Sequence, residues 1–310
     1  MAVILDASGV GGLQTDLRLA AVLDRALYMI LADSASIRNT GAVGYYGSIN
    51  GTGASTKRVR LAGLDGTDAM ATQAAQNSAV ANTTLTDASA DLAVVRGSLR
   101  YDESDLAIMT GFGSTDINPI TLAQAMVTSF ERWWNSLLCV SMQSFTSDVG
   151  STGVDASVDD VFDGLAVLET NSVKGPYHLI IHPRQLADLQ SSIRGEAGAF
   201  QFLAPTQEAL NIKGPGYAGS LLGIELFTST DVVGDGTDRH GAMFGQGALG
   251  YADGTPPTPA SVASTSFPGV PILVEFSRTS EEATSLVVGH GYAGTGIIQD
   301  SAGVGFVTDQ

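Results

Sequence analysis

Apolar residues recur every three to four positions in several stretches of this chain and every second position in others, and the switching between the two periods marks out its elements. Residues 16–32 (DLRLAAVLDRALYMILA) put Leu19, Leu23, Leu27 and Ile30 on one helical face. The strongest signal is residues 118–146, where Leu122, Met126/Val127, Phe130, Trp133/Trp134, Leu137/Leu138 and Phe145 keep an amphipathic helical spacing. Asn118 suits the N-cap and Pro119 the first helical position. About 28 residues at 1.5 Å rise would extend roughly 42 Å, longer than a small domain is wide. Its two tryptophans read as core or subunit anchors rather than a ligand platform. After a polar linker at 150–157, SVDDVFDGLAVLETN opens a second compact region. Ser157 and Asp160 have capping-box spacing, and Asp159 and Asp160 lie near the positive end of the helix, so the acid pair needs no catalytic explanation. A strand Tyr177–Ile181 follows, then a helix begun by Pro183 with Leu186, Leu189 and Ile193 inward and Gly195 at its stop.

Period-two segments account for most of the rest. TKRVRLAG and SLRYDESDLAI alternate and flank a long stretch of small polar residues. Such a stretch cannot bury enough surface to fold inward, so a projecting hairpin is predicted over 57–106. Charge is segregated along it: Lys57, Arg58 and Arg60 sit at the base, and the acids Asp65, Asp68, Asp87 and Asp91 follow without an intervening Lys or Arg. It reads either as a solvated loop or as an arm docking on a neighbour of complementary charge. LLGIELFTS (221–229) and GAMFGQGALGY (241–251) read as strands, the Pro-rich 255–269 as a linker, and the remainder as β. Residues 1–16 are Gly-rich and aperiodic; if ordered, they need support from outside their own core, such as a neighbouring subunit.

Chemistry is sparse. The chain has 310 residues, 44% hydrophobic and 15% charged, with net charge −17. That is long enough for a substantial core and poorly suited to binding phosphates, which needs clustered Lys and Arg. A negative surface also keeps a container wall from sticking to nucleic acid contents. Cys139, the single cysteine, excludes an intrachain disulfide and falls in an apolar helical stretch, as a buried thiol would. Neither a signal peptide nor a membrane span is expected. Two G-x-G-x-x-G matches, Gly245-Gly247-Gly250 and Gly289-Gly291-Gly294, lack the following helix that a dinucleotide needs. His178 and His182 lie along a strand, about 13 Å apart at 3.3 Å per residue, too far to share an ion. DGTD at 65–68 and again at 235–238 reads as a turn rather than a calcium loop. Ser, His and acid residues suggest no triad, and no catalytic, cofactor or metal site is expected.

Taken in order, these pieces resemble the major capsid proteins of tailed bacteriophages with the Hong Kong 97-type fold, over nearly the whole chain. The segments carrying the resemblance are YHLIIHPRQLADL, LLGIELFTSTDV, GAMFGQGALGYAD and ILVEFSRTSEEATSLVVGHGYAGTGIIQDSAGVGFV. It implies an α+β fold: N-terminal arm and helix over 1–45, E-loop hairpin over 46–106, P-domain with spine helix over 107–154, A-domain over 155–255 and C-terminal P-domain strands over 256–310.

The function so implied is a non-enzymatic structural protein that self-assembles as hexamers and pentamers into an icosahedral head enclosing double-stranded DNA. Lys57, Arg58 and Arg60 would pair across subunits with acids such as Asp65 and Asp68. Expected partners are further copies of the chain, a separate scaffolding protein, a portal and, in some relatives, a decoration protein, with DNA enclosed without sequence-specific contacts. The expected location is the virion, after assembly in the bacterial host cytoplasm. Some relatives cross-link through an E-loop lysine; here Lys57, at the base, is the only lysine in that region, so no isopeptide ladder is expected. Two alternatives stay open: an encapsulin-type compartment of the same fold, and an extracellular or tail β-structural protein.

Overall fold

The computed structural model describes residues 37, 41–61, 89–104, 119–195, 202–213, 216–254, 263–266, 272–279 and 284–309. The Gly-rich start, the 16–32 helix, Asn118 and the hairpin tip with Asp65 and Asp68 lie outside them. In chain order the strands are β1 (Gly44–Ser48), β2 (Thr56–Arg60), β3 (Ser89–Ala93), β4 (Val95–Ser104), β5 (Asp148–Gly150), β6 (Tyr177–Ile181), β7 (Phe202–Leu203), β8 (Tyr217–Leu221), β9 (Ile224–Thr228), β10 (Asp238–Gly245), β11 (Leu249–Asp253), β12 (Ala263–Ser266), β13 (Ile272–Thr279), β14 (Thr284–Ile297) and β15 (Gly303–Asp309). The helices are α1 (Pro119–Met142), α2 (Val158–Thr170), α3 (Pro183–Gly195) and α4 (Gln207–Lys213).

α1 organises the core. Met126, Phe130, Trp134, Leu138 and Met142, spaced every four residues, are buried on one stripe. One part of this stripe meets a sheet in the order β1-β11-β14-β13-β12, with β4 also paired to β14. Glycine makes the approach close: β-carbons at Gly289 and Gly291 of β14 would press on the Phe130 ring, and one at Gly97 of β4 on Trp133. Farther along, the helix packs on a sheet in the order β5-β15-β10-β6-β9-β8-β7.

The pleat divides this second sheet into two faces. Ile180, Phe227, Ala242 and Phe244 join Trp134 and Leu138 on the α1 side. Leu179, Ile181, Leu226, Met243 and Phe306 face the other way with Val158, Val161 and Leu168 of α2 and Leu189 of α3. Ser157 caps α2 as expected: Asp160 N donates to Ser157 Oγ, and Ser157 N donates to Asp160 Oδ2 at 2.9 Å. Buried Gln185 fixes the start of α3 to the sheet, donating through Nε2 to Thr308 Oγ1 (2.8 Å) and Arg239 O (3.1 Å) and accepting from His182 N (2.9 Å).

Several expectations need correction. The hairpin's descending strand is β3, not residues 98–106; β4 instead runs antiparallel along β14, with Ser98 opposite His290. The pairing partner lies far away in sequence, and local alternation carries no information about it. α1 has 24 residues, ending at Met142 rather than Thr146. LLGIELFTS contains a hairpin turn at Leu222–Gly223, both in left-handed backbone (φ 55° and 82°), the geometry of a type I′ turn. GAMFGQGALGY crosses between sheets, β10 lying in one and β11 in the other. Within the 255–269 linker, residues 263–266 form β12. The boundary at 255 also fails to separate the sheets. β11 belongs with the strands of 263–297, whereas β15 returns to the sheet of β10 because Val304 and Phe306 face α2 and α3.

Candidate assembly surfaces

The hairpin base is built by alternation. On β2, Thr56, Arg58 and Arg60 are exposed, while Lys57 and Val59 turn toward the body; on β3, Leu92 is fully buried. Leu92 packs with Ala252 and Ile298 and anchors the base on the sheet that holds β14. The three basic residues are therefore not one cluster. Arg58 sits directly opposite Asp91 and makes a two-pronged contact, Nε to Oδ1 at 2.8 Å and Nη2 to Oδ2 at 2.9 Å. The guanidinium holds the Asp91 carboxyl below the usual range. Asp91 belongs to the descending strand, and its pairing with Arg58 is within one chain. Arg60 faces Ser89, and neither Arg60 nor Lys57 has an ion-pair partner among the described residues. Of the two, Arg60 is exposed and Lys57 half-buried.

The glycine motifs are structural. Gly245-Gly247-Gly250 spans the turn from β10 to β11, and Gly289-Gly291-Gly294 lies wholly within β14. Asp235 Oδ1 accepts from the backbone N–H groups of Thr237 (2.9 Å) and Asp238 (2.7 Å), making 235–238 a side-chain-closed turn. Buried Asp238 accepts from Gly153 N at 2.8 Å. His178 is buried between Phe227 and Phe244, its Nδ1 3.3 Å from Glu225 Oε2 without a well-directed hydrogen bond. Lys213 Nζ binds Glu225 from α4 at 2.8 Å. Burial lowers the proton affinity of His178. His182 follows the strand and caps Arg184 N through Nδ1 at 3.2 Å. Cys139 is buried, and burial pushes its thiol up to about 12, with Asp231 adding to the effect.

One polar grouping escaped the sequence. Ser98 Oγ lies 2.9 Å from His290 Nδ1, and His290 Nε2 lies 3.7 Å from Glu275 Oε2, across β4, β14 and β13. The three residues alternate with those that pack on α1, so they share the sheet's other face. Only the strand register reveals the trio. At 3.7 Å the carboxylate does not hydrogen-bond the ring as a catalytic orienting group must. Among the described residues no three metal-ligating side chains cluster, and no helix is long and apolar enough to cross a membrane.

This architecture is shared with solved shells. A structure of Mycobacterium phage Che8 is similar at TM-score 0.55 and 14% identity, covering 88% of this chain and 92% of that one. The capsid of cyanophage P-SCSP1u gives 0.54 and 11%, covering 88% of each. The fold is that of the Hong Kong 97-type capsid proteins. In its terms α1 is the spine helix and β2–β3 the base of the E-loop. The holo-SrpI encapsulin complex from Synechococcus elongatus PCC 7942 has the fold too, at TM-score 0.57 and 13% identity, with 85% and 84% covered. No protein-family model and no curated protein matches the sequence.

Proposed function

We propose that this chain is the wall subunit of an icosahedral tailed-phage head, assembling as hexamers and pentamers around double-stranded DNA and carrying no catalytic site. The observation that supports this best is the capsid fold spanning 88% of the chain in the phage comparisons. The charge balance agrees with it. At net −17 the wall repels phosphates, so DNA is confined rather than bound. The E-loop lies over an adjacent subunit, with Lys57 and Arg60 meeting acids such as Asp65 and Asp68 of its tip, and Arg58 already committed to Asp91. Scaffolding, portal and decoration partners and assembly in the host cytoplasm follow from the same reading.

The likeness to SrpI encapsulin favours a second reading, a compartment holding protein cargo. Purified particles treated with nuclease separate the two. Protected DNA extracted from shells supports the phage head. Shells containing protein and no DNA overturn it in favour of the compartment.

A further inference from the structure

We infer that copies of this chain join side by side through α4 of one and a hollow beneath β7 of the next. The inference rests on the shell-forming reading above.

The edge of the seven-stranded sheet near β7 and β8 is unlike the rest of the molecule. Ile212 on α4 is 73% exposed and Leu203 on β7 64%, among the highest values for large apolar side chains in the described residues. Glu208 lies four residues before Ile212, so the two share one face of α4, an apolar knob beside an acid. α4 is held on its own chain by Lys213, whose partner Glu225 lies on the same face of β9 as Phe227, the α1 side of the sheet.

The matching surface is on the other side. Gln190, Ile193 and Arg194 of α3 and Phe202 of β7 line a hollow of about 300 Å³. Ile193 and Phe202 belong to the core beneath α2 and α3. Arg194 has no ion-pair partner among the described residues and is a cation in a strongly acidic chain. An apolar knob flanked by an acid therefore stands on one face of the sheet edge, and an apolar hollow flanked by a cation on the opposite face. Among the described residues neither Glu208 nor Arg194 has an ion-pair partner, and a second copy placed alongside can supply one. Because knob and hollow are different surfaces, the contact is head-to-tail, the kind that repeats around a ring. Ile212 would fill the hollow against Ile193 and Phe202 while Glu208 meets Arg194 at its rim.

The test is a charge swap followed through assembly. Arg194→Glu and Glu208→Arg should each lower the yield of shells about tenfold or more, by placing like charges at every ring contact. The double variant should recover most of it. Ile212→Ser should reduce yield without changing charge. All four should melt like the wild-type subunit, since these side chains are exposed. Single variants that assemble at wild-type yield, or a double variant no better than the singles, overturn the contact and leave the capsid reading standing. Wild-type protein that forms no shells overturns both.

Discussion

Glycine in β14 should be a sensitive point of the core. An alanine β-carbon at position 289 would lie 2.9 Å from Phe130 Cε2 and 3.2 Å from Cζ; one at 291 would lie 2.9 Å from Cε1 and 3.1 Å from Cδ1. Carbon–carbon contacts are comfortable near 3.5–4.0 Å. The ring is thus met on both edges, and it cannot retreat from one methyl without approaching the other. Trp133 Cζ3 stands 3.4 Å from the position-291 carbon and Met126 Cε 3.5 Å from the position-289 carbon, which limits relaxation. Overpacking of this kind costs about 1–3 kcal/mol per site, offset by the roughly 0.4–1 kcal/mol that replacing Gly gains through the unfolded chain. Gly289→Ala and Gly291→Ala should each destabilise by a net ~1–2 kcal/mol, seen as a fall of a few degrees in the calorimetric midpoint of the subunit. The double variant should lose more than the sum, by about 0.5 kcal/mol or more. Phe130→Leu, harmful alone because it leaves a cavity, should be less harmful in the double-alanine background. Neutral or stabilising single substitutions would refute the argument that glycine is there for close approach.

Three further outcomes follow. Gln185→Leu strands the polar groups of Thr308 and the α3 start, and should cost about 1–3 kcal/mol in unfolding experiments, with Gln185→Glu also poorly tolerated. Cys139, pushed up to about 12, should be inert to a thiol reagent in the native protein and react with one equivalent after denaturation. His178 binds its proton less tightly folded than unfolded because burial disfavours the charge. The stability present above its ordinary value of 6.5 should therefore fall as pH drops below 6.5 toward the lowered native value. His178→Phe should flatten that part of the stability–pH curve, and unchanged slopes would count against the assignment.

Much of this fold was legible because its signals are local. The α1 stripe, the Ser157–Asp160 cap, and the strand followed by Pro183 each follow from spacing within a few residues. What escaped depends on distant chain. β4 alternates as a strand should, but nothing near it specifies β14, some 190 residues on. The β8–β9 turn was hidden because Leu222 occupies a left-handed position where Asn, Asp or Gly is usual. β15 was assigned with its sequence neighbours, whereas its apolar face belongs beneath α2 and α3. The candidate surface was partly readable: Arg58, Lys57 and Arg60 were found as a charge cluster. Strand alternation then split them, giving Arg58 to Asp91 and turning Lys57 toward the body.

Cryo-electron microscopy of the purified 31.9 kDa chain tests the central claim most directly. Closed shells with five-fold and six-fold capsomers, α1 in the wall and each β2–β3 hairpin lying on an adjacent subunit are expected. A monodisperse monomer under assembly conditions, or particles in which the hairpin folds back on its own chain without touching a neighbour, would contradict it.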